Sequence, residues 1–290
     1  MATLSRASAF LIALVACGPL AQPAQAAPNA SDSYLPAVHI VGATGVFRTD
    51  VSAFNPDTDV TADVAFYYTP AGVDGNLPGN TISFRLTDGL PPRNSVTLKD
   101  IVAEYVLVDS GYGLLQVSGL NKPVIVTSNT YNVNGAVPGT YGQFSPGQPI
   151  QSALGFDNSV FGDLYVTGVP NDANHRTNAV IMNPTGVSLE AGVQLVDKYR
   201  QIWASGVYVV PPYSLRQIND VFGKEFVASG VPPDDSYRLN FFVNLGNGAR
   251  ILSYASITDV RTGDPYLVPG VPVPHAAAAA AAPARAPASR

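Results

Sequence analysis

The sequence predicts an all-β protein made of two tandem immunoglobulin-like antiparallel β-sandwich domains, each with one short helix. One barrel per repeat is the alternative. Three observations predict this fold: short stretches of strand-forming residues between turns, a chain rich in Gly (26) and Pro (25), and a pattern of residues that occurs twice in the same order. Charged residues make up only 13% of the 290 residues, so Ser, Thr, Asn, Gln and Tyr must cover much of the surface.

The first 26 residues have the layout of a secretory signal peptide. Arg6 supplies a positive charge, an apolar stretch follows over residues 9–16, and Ala24-Gln25-Ala26 forms a small-residue cleavage site. The apolar stretch is too short to span a bilayer as a helix. We therefore expect a signal peptide over 1–26 and a mature protein that is exported, either extracellular or periplasmic.

Cys17, the only cysteine, leaves a second form of processing open. The run Leu14-Val15-Ala16-Cys17-Gly18 resembles the lipobox of bacterial lipoproteins. If that site is used, Cys17 is lipidated and the protein is an outer-membrane lipoprotein. If cleavage follows Ala26, the mature chain has no cysteine, which excludes disulfides and thiolate zinc sites.

Three blocks of residues recur in the same order along the chain. The first is Arg-Thr-(Asp/Asn) followed by Asn-Pro, the second is Pro-Pro followed by an Asp-containing run, and the third is a strand rich in Ser and Thr. Their positions are 48–56 and 176–184, 91–101 and 211–221, and 126–132 and 253–259. We predict repeat 1 over 34–146 and repeat 2 over 152–269, joined by a Pro- and Gly-rich link at 145–149.

Within each repeat the residues predict five strands and one helix. The strands are predicted at 46–54, 60–68, 81–86, 113–117, 124–132, 177–182, 187–197, 201–209, 237–243 and 250–258, and the helices at 100–105 and 220–226. Asp100 and Asp220 are predicted to be the N-caps of these helices. The tail over 270–290 is rich in Ala and Pro and is predicted to be disordered.

Some of these motifs resemble those of known modules. The run Phe47-Arg48-Thr49-Asp50 with Asn55-Pro56, the strand at 126–132 and the run at 261–265 resemble uncharacterised tandem immunoglobulin-like modules in secreted proteins of environmental bacteria. The resemblance covers about residues 37–268. It implies the sandwich fold and no specific activity.

The sequence predicts no catalytic site and no cofactor. His39, His175 and His275 lack the spacing of a zinc site, and the chain has no Gly-x-Ser-x-Gly elbow. Calcium is the ion that the loops could hold, because Asp57 with Asp59, and Asp234 with Asp235, offer oxygen ligands. Neither pair matches a twelve-residue calcium loop, and backbone capping is the alternative for all four.

The repeated block and the tyrosines are the candidates for binding. Arg48 and Arg176, with Asn55 and Asn183, either hold the fold together beside a turn or mark a binding face that occurs twice. The chain has more tyrosines than one sandwich core can bury, and those at the surface could stack on sugars or pack on other proteins. The tyrosine candidates are Tyr67, Tyr68, Tyr131 and Tyr141.

We expect a non-enzymatic binding or structural protein at the cell surface or in an extracellular assembly. It would act by protein–protein contact through sheet faces, loops or an open edge strand, and self-association is one form of such contact. A carbohydrate-binding module is the alternative, followed by a hydrolase. The net charge of −5 and the scattered Lys and Arg argue against nucleic acid as a partner.

Overall fold

The computed structural model describes residues 31–42, 45–133, 141–155 and 162–274. This part of the chain consists of antiparallel strands with a few short helical turns, so the predicted all-β class is confirmed. The predicted signal peptide with Cys17 lies outside the described residues, and so do residues 275–290.

Repeat 1 contributes nine strands and the short helix α1. They are β1 (Asp32–Gly42), β2 (Gly45–Phe54), β3 (Val64–Pro70), β4 (Ile82–Arg85), β5 (Ser95–Leu98), α1 (Ile101–Glu104), β6 (Gly111–Gly119), β7 (Ile125–Val133), β8 (Tyr141–Pro146) and β9 (Gln148–Pro149).

Repeat 2 contributes ten strands, a π-helical turn and two 3₁₀ turns. They are a 3₁₀ turn (Ile150–Ser152), β10 (Leu154–Gly155), β11 (Gly162–Asn171), β12 (His175–Met182), β13 (Leu189–Val196), β14 (Ile202–Val210), β15 (Leu215–Ile218), the π-helical turn (Val221–Glu225), a 3₁₀ turn (Val227–Ser229), β16 (Asp234–Leu245), β17 (Arg250–Asp259), β18 (Pro265–Pro269) and β19 (Val271–Pro274).

Repeat 2 has two separate sheets, and the nine strands of repeat 1 form one continuous sheet whose two halves have the same strand order as those two sheets. Each half is called a sheet below. The first sheet runs β4-β3-β6-β1 in repeat 1 and β14-β13-β16-β11 in repeat 2. The second sheet runs β5-β2-β7-β8 in repeat 1 and β15-β12-β17-β18 in repeat 2. In repeat 1 the end of β1 also pairs with β2, which joins the two sheets at one corner.

The outer strands pair differently from those of an immunoglobulin domain. There, the first strand lies in the same sheet as the second, and the last strand lies beside the sixth. Here, β1 pairs with β6 along residues 32–39, and β7 pairs with β2 along its whole length. The immunoglobulin part of the fold prediction is therefore not confirmed.

A short helix follows each Pro-Pro pair, close to the predicted positions. The Asp220 side chain accepts a hydrogen bond from the third backbone N–H of the π-helical turn, as an N-cap does. Asp100 is the N-cap residue of α1, as predicted, but its side chain makes no such bond, so the predicted capping by its carboxylate is wrong. Its carboxylate is instead occupied by two basic side chains from β1 and β2.

The segment predicted as a link between the repeats forms strands. Gly147 and Gly270 each follow a proline, and each donates its backbone N–H to a carbonyl of the second sheet, at 2.9 Å and 2.8 Å. The chain then crosses to the first sheet, where β9 pairs with β1 and β19 pairs with β11. The predicted disorder from residue 270 is therefore wrong for Val271–Pro274, because edge strands tolerate proline.

Each repeat has its own apolar core between its two sheets. Successive side chains of a strand point to opposite faces, so one set of positions fills the core. In β6, Leu115 and Val117 belong to the core of repeat 1, and in β12, Ala179 and Ile181 belong to the core of repeat 2.

The opposite faces of two of these sheets pack against each other. Leu114 in the first sheet of repeat 1 shares an apolar cluster with Val180 and Met182 in the second sheet of repeat 2. All three side chains are at most 2% exposed. Within the described residues, the first sheet of repeat 1 therefore packs on the second sheet of repeat 2. The repeats form a stack whose ends are the second sheet of repeat 1 and the first sheet of repeat 2.

Hydrogen bonds along the edge of this contact hold the two repeats in register. Backbone N–H groups of Gly72 and Gly75 bond to carbonyls of Leu215 and Pro212, at 3.2 Å and 2.9 Å. The Ser214 hydroxyl donates to the carbonyl of Pro70 at 3.0 Å, and the amide of Asn76 donates to that of Gly186 at 2.8 Å. The two repeats thus contact each other closely.

Candidate functional site

The asparagines of the repeated Asn-Pro pairs hold the turns of both repeats together. The Asn55 amide donates to the carbonyls of Val60 and Leu90, at 2.9 Å and 2.8 Å. The Asn183 amide donates to three carbonyls in the equivalent region of repeat 2. Both side chains are 0% exposed, so neither can contact a partner and both serve the fold.

The Arg-Thr-(Asp/Asn) block connects the second strand of each repeat to its helix. The Asp50 carboxylate accepts the backbone N–H of Asp100 at 2.9 Å, and the Asn178 amide oxygen accepts that of Asp220 at the same distance. Asp100 and Asp220 both have positive φ, 44° and 52°, where a backbone needs such support. The same hydrogen bond therefore joins the first repeated block to the second in both repeats.

Arg48 and Arg176 differ in their surroundings. The Nε of Arg48 lies 3.3 Å from the carboxylate of Asp100, which is also 2.9 Å from Nδ1 of His39. Arg176 is exposed on β12, and Asp220 at the equivalent position is an N-cap instead. Arg48 thus stabilises repeat 1 through an acidic neighbour, which is one of the two roles that the sequence left open.

Asp50 is the second carboxylate of this polar cluster in repeat 1. Its Oδ2 lies 2.6 Å from Nζ of Lys99, and its Oδ1 accepts the hydroxyl proton of Tyr131 at 3.2 Å. Burial and the neighbouring Asp50 raise the pKa of Tyr131. The hydroxyl therefore stays protonated and structural, which leaves the half-buried ring of Tyr131 as its only free part.

The other tyrosine candidates are divided between the core and the surface. Tyr68 is 1% exposed, and burial raises the pKa of its hydroxyl, so it is not available for contact with a partner. Tyr67 is half-buried on the opposite face of β3, and the Tyr141 side chain lies outside the described residues. The most exposed tyrosine of the described residues is Tyr199, which lies just before β14.

The predicted calcium ligands are engaged in loop contacts. Asp57 accepts the backbone N–H groups of Asp59 and Val60, both at 2.9 Å, and lies 2.9 Å from Nζ of Lys122. The described residues contain no group of three or more His, Cys, Asp or Glu side chains placed to hold a metal.

The second predicted calcium pair is similar. Asp234 accepts hydrogen bonds from the backbone and hydroxyl of Ser236 and lies 3.0 Å from Nζ of Lys198. The side chain of Asp235 is not among those described. Asp57 and Asp234 therefore cap backbone groups, the alternative that the sequence offered, whereas the carboxylate of Asp59 accepts the hydroxyl of Thr58 at 2.8 Å.

The open edge of β14 is the most distinctive surface feature of the described residues. β14 pairs with β13 on one side only, and no described strand pairs with its other side. It is nine residues long, Ile202–Val210, and contains neither a charged residue nor proline. Such an edge presents unpaired backbone N–H and C=O groups to any strand that approaches.

The other described edges are shorter or contain proline. β4, the equivalent of β14 in repeat 1, has four residues and ends at Arg85. β5, β15 and β19 also have four residues each, and β8 and β18 have six and five. Proline and charge prevent pairing at a sheet edge, and β14 alone among the long edges has neither.

Apolar side chains lie exposed along β14. Val207 and Val209 are 58% and 60% exposed on the outer face of the first sheet. In β13, Gly192 lies beside Val207 and is covered by the ring of Phe242, whereas the charged residue Glu190 lies beside Val209. The edge therefore combines free backbone groups with an apolar flank.

The sequence indicated this site only in part. Residues 201–209 were predicted to form a strand, and the run Ile-Trp-Ala-Ser-Gly-Val-Tyr-Val-Val without any charge was the available signal. Alternation shows which side chains share a face but not which strand lies at an edge. That position follows only from the sheet order.

Comparisons with known proteins identify no relative of this chain. No protein-family model matches it, and no significant match occurs among curated proteins or among solved structures. Within the described ranges, none of the helices has the length and apolar composition that crossing a membrane requires.

Proposed function

We propose that this chain is an exported, non-enzymatic binding or structural protein that acts outside the cytoplasm by protein–protein contact. The observation that carries the proposal is the open, uncharged edge of β14 on a molecule whose two repeats are packed into one stack. A strand of another protein can extend such an edge through backbone hydrogen bonds. The stack supplies a rigid support for that contact.

We further propose that each repeat is a β-sandwich related to the immunoglobulin fold, with its first and last strands exchanged between sheets. The apolar clusters between the two sheets of each repeat support this. So does the occurrence of the same strand order twice in one chain.

Export is tested by the mass of the native protein. Intact-mass spectrometry of the chain isolated from an exporting bacterium should show an N-terminus at Ala27 or a diacylated Cys17. A chain that keeps Met1 would contradict the proposal. The two expected masses also distinguish a released protein from one anchored in the outer membrane.

Contact through β14 is tested by photo-crosslinking in the same cells. A benzophenone amino acid in place of Val207 should form covalent adducts with protein, because this side chain is exposed beside the open edge. The same probe in place of the exposed Ser83 in β4 is the matched control and should form far fewer. Equal yields at both positions would contradict a role for the β14 edge.

A carbohydrate-binding module remains the second candidate, because of the free face of the second sheet in repeat 1. There, the hydroxyls of Ser52 and Thr97 bond to each other at 2.8 Å, and Asn129 and Phe144 are exposed nearby. Hydroxyl and amide groups beside an aromatic ring suit a sugar. A glycan array on which an Asn129→Ala/Phe144→Ala double variant binds as the natural chain does would exclude this face.

A further inference from the structure

Building on the function proposed above, we propose that the partner of β14 is the β14 strand of a second copy of this chain. The two strands would pair antiparallel about a two-fold axis and join the two first sheets into one continuous sheet. The result is a symmetric dimer.

The backbone of β14 is regular over most of its length. Its pairing with β13 is irregular only near the start of β14. There, Ala204 pairs with Leu195 and Ile202 pairs with Val196, so the register shifts by one residue at Trp203. Seven residues, Ala204–Val210, follow without interruption. A pairing that uses all seven is centred on Val207, which then lies opposite Val207 of the second copy.

The side chains of β14 suit pairing with themselves. No charged residue occurs from Ile202 to Val210, so a two-fold axis brings no like charges opposite each other. With the axis at Val207, Val209 lies opposite Ser205 of the second copy. The exposed valines of both chains then form one apolar stripe across the joint, beside Phe242.

The remainder of the molecule favours a closed dimer over a fibre. An antiparallel pair of identical strands uses the same surface on both chains, so it closes after two copies. Growth would require a second open edge, and the equivalent strand β4 has only four residues, ending at Arg85. One long open edge in the described part of the chain therefore gives a dimer.

The mass of the purified full-length exported chain tests this proposal. Sedimentation equilibrium at protein concentrations up to about 100 μM should show a monomer–dimer equilibrium, as is usual for a small interface. The double variant Val207→Lys/Val209→Lys should weaken dimerisation by about tenfold or more. The positive charge at position 207 would lie opposite its own copy, and the charge at position 209 would lie between the two paired strands. Ser83→Lys in β4 is the matched control and should leave it unchanged.

A cysteine variant tests the register without adding charge. Cys17 has no free thiol after either form of processing, so Val207→Cys introduces the only reactive thiol. Under mild oxidation it should form a disulfide-linked dimer, because residue 207 faces its own copy, whereas Ser83→Cys should not. A strictly monomeric chain with no Val207→Cys dimer would overturn self-pairing, even if the lysine variant failed to fold.

The outcomes separate this inference from the proposed function. If the chain is monomeric while the benzophenone at position 207 forms adducts with a different protein, self-pairing is wrong and protein contact through β14 stands. If the adducts are homodimers, both stand. If neither adducts nor dimers form, both fail.

Discussion

The buried asparagine of each Asn-Pro pair replaces several backbone hydrogen bonds at a point where the chain turns. Asn55 donates twice and accepts the backbone N–H of Asp57 at 3.0 Å, and Asn183 does the same with Thr185. No other side chain of that size offers two donors and an acceptor in this geometry. This explains why the pair occurs in both repeats.

Asn55→Ala should therefore destabilise the protein. The carbonyl of Val60 and the N–H of Asp57 lose the side chain that they bond to, and the carbonyl of Leu90 keeps only the N–H of Ala62. We therefore expect the free energy of unfolding to fall by about 2–4 kcal/mol. Urea unfolding followed by tyrosine fluorescence measures this. Asn129→Ala on the exposed face of β7 is the control, and equal losses in the two variants would contradict the structural role of Asn55.

Acid should weaken the fold through its loop aspartates. The backbone N–H of Asp59, with Lys122, lowers the pKa of Asp57, and Ser236, with Lys198, lowers that of Asp234. The unfolded chain therefore binds these protons more readily, near the ordinary pKa of 3.8. Stability should be constant above that pH and decrease as the pH falls below about 4.

Asp57→Asn separates this effect from general acid denaturation. Its amide oxygen can still accept the N–H groups of Asp59 and Val60, but it has no carboxylate to protonate. The decrease in urea midpoint between pH 5 and pH 3 should be smaller than in the natural chain. An unchanged decrease would show that Asp57 contributes nothing to acid sensitivity.

At the scale of elements, the crossing at the end of each repeat protects the edge of its first sheet. Residues 146–149 and 269–272 both have the sequence Pro-Gly-x-Pro. This is a fourth repeated block, and its first copy lies in the segment predicted to be a link. β19 pairs with β11 over four residues, and its Pro272 and Pro274 keep further strands away. Proline thus ends the sheet instead of connecting two domains.

Removal of β19 should expose that edge. A chain that ends at Pro269 should unfold at lower urea concentration and aggregate faster, because β11 loses its partner and Leu164 loses cover from the crossing. Light scattering and urea unfolding measure the two effects. A chain that ends at Pro274 is the control, and identical behaviour of the two truncations would contradict a role for β19.

Each of the ten predicted strands overlaps a strand of the structure, but nine further strands, among them β1 and β11, were not predicted. The predicted strand 46–54 differs by one residue from Gly45–Phe54, because alternation and the Asn-Pro turn mark both ends. The exchange of β1 and β7 between sheets leaves no trace in alternation, since either sheet buries the same side chains. The candidate edge depends on that sheet order, so only its lack of charge was visible in the sequence.

At the scale of the whole molecule, the third apolar cluster makes the two repeats one unit. Tyr34, at 0% exposure, lies in this cluster and reaches towards the carbonyl of Pro184 at 3.4 Å. Burial raises the pKa of its hydroxyl, which therefore stays neutral at the contact. Such a contact couples the unfolding of the two repeats.

Leu114→Ala should weaken this coupling. Leu114 is 2% exposed between the repeats, so its truncation leaves a cavity that costs about 2–5 kcal/mol. Calorimetry should show a single transition for the natural chain and two for the variant. Ile125→Ala, at a side chain that is 56% exposed, should keep one transition, and two transitions in the natural chain would contradict the coupling.

The duplicated positions at the contact between the repeats carry different side chains in the two repeats. Val180 and Met182 are buried there, whereas the corresponding Ser52 and Phe54 of repeat 1 lie half-buried at the free end of the stack. A module inserted in the middle of a longer array would need an adhesive surface on both sides. Repeat 1 carries Ser52 in place of Val180 and Phe54 in place of Met182, so this face does not reproduce the contact that the buried pair makes in repeat 2.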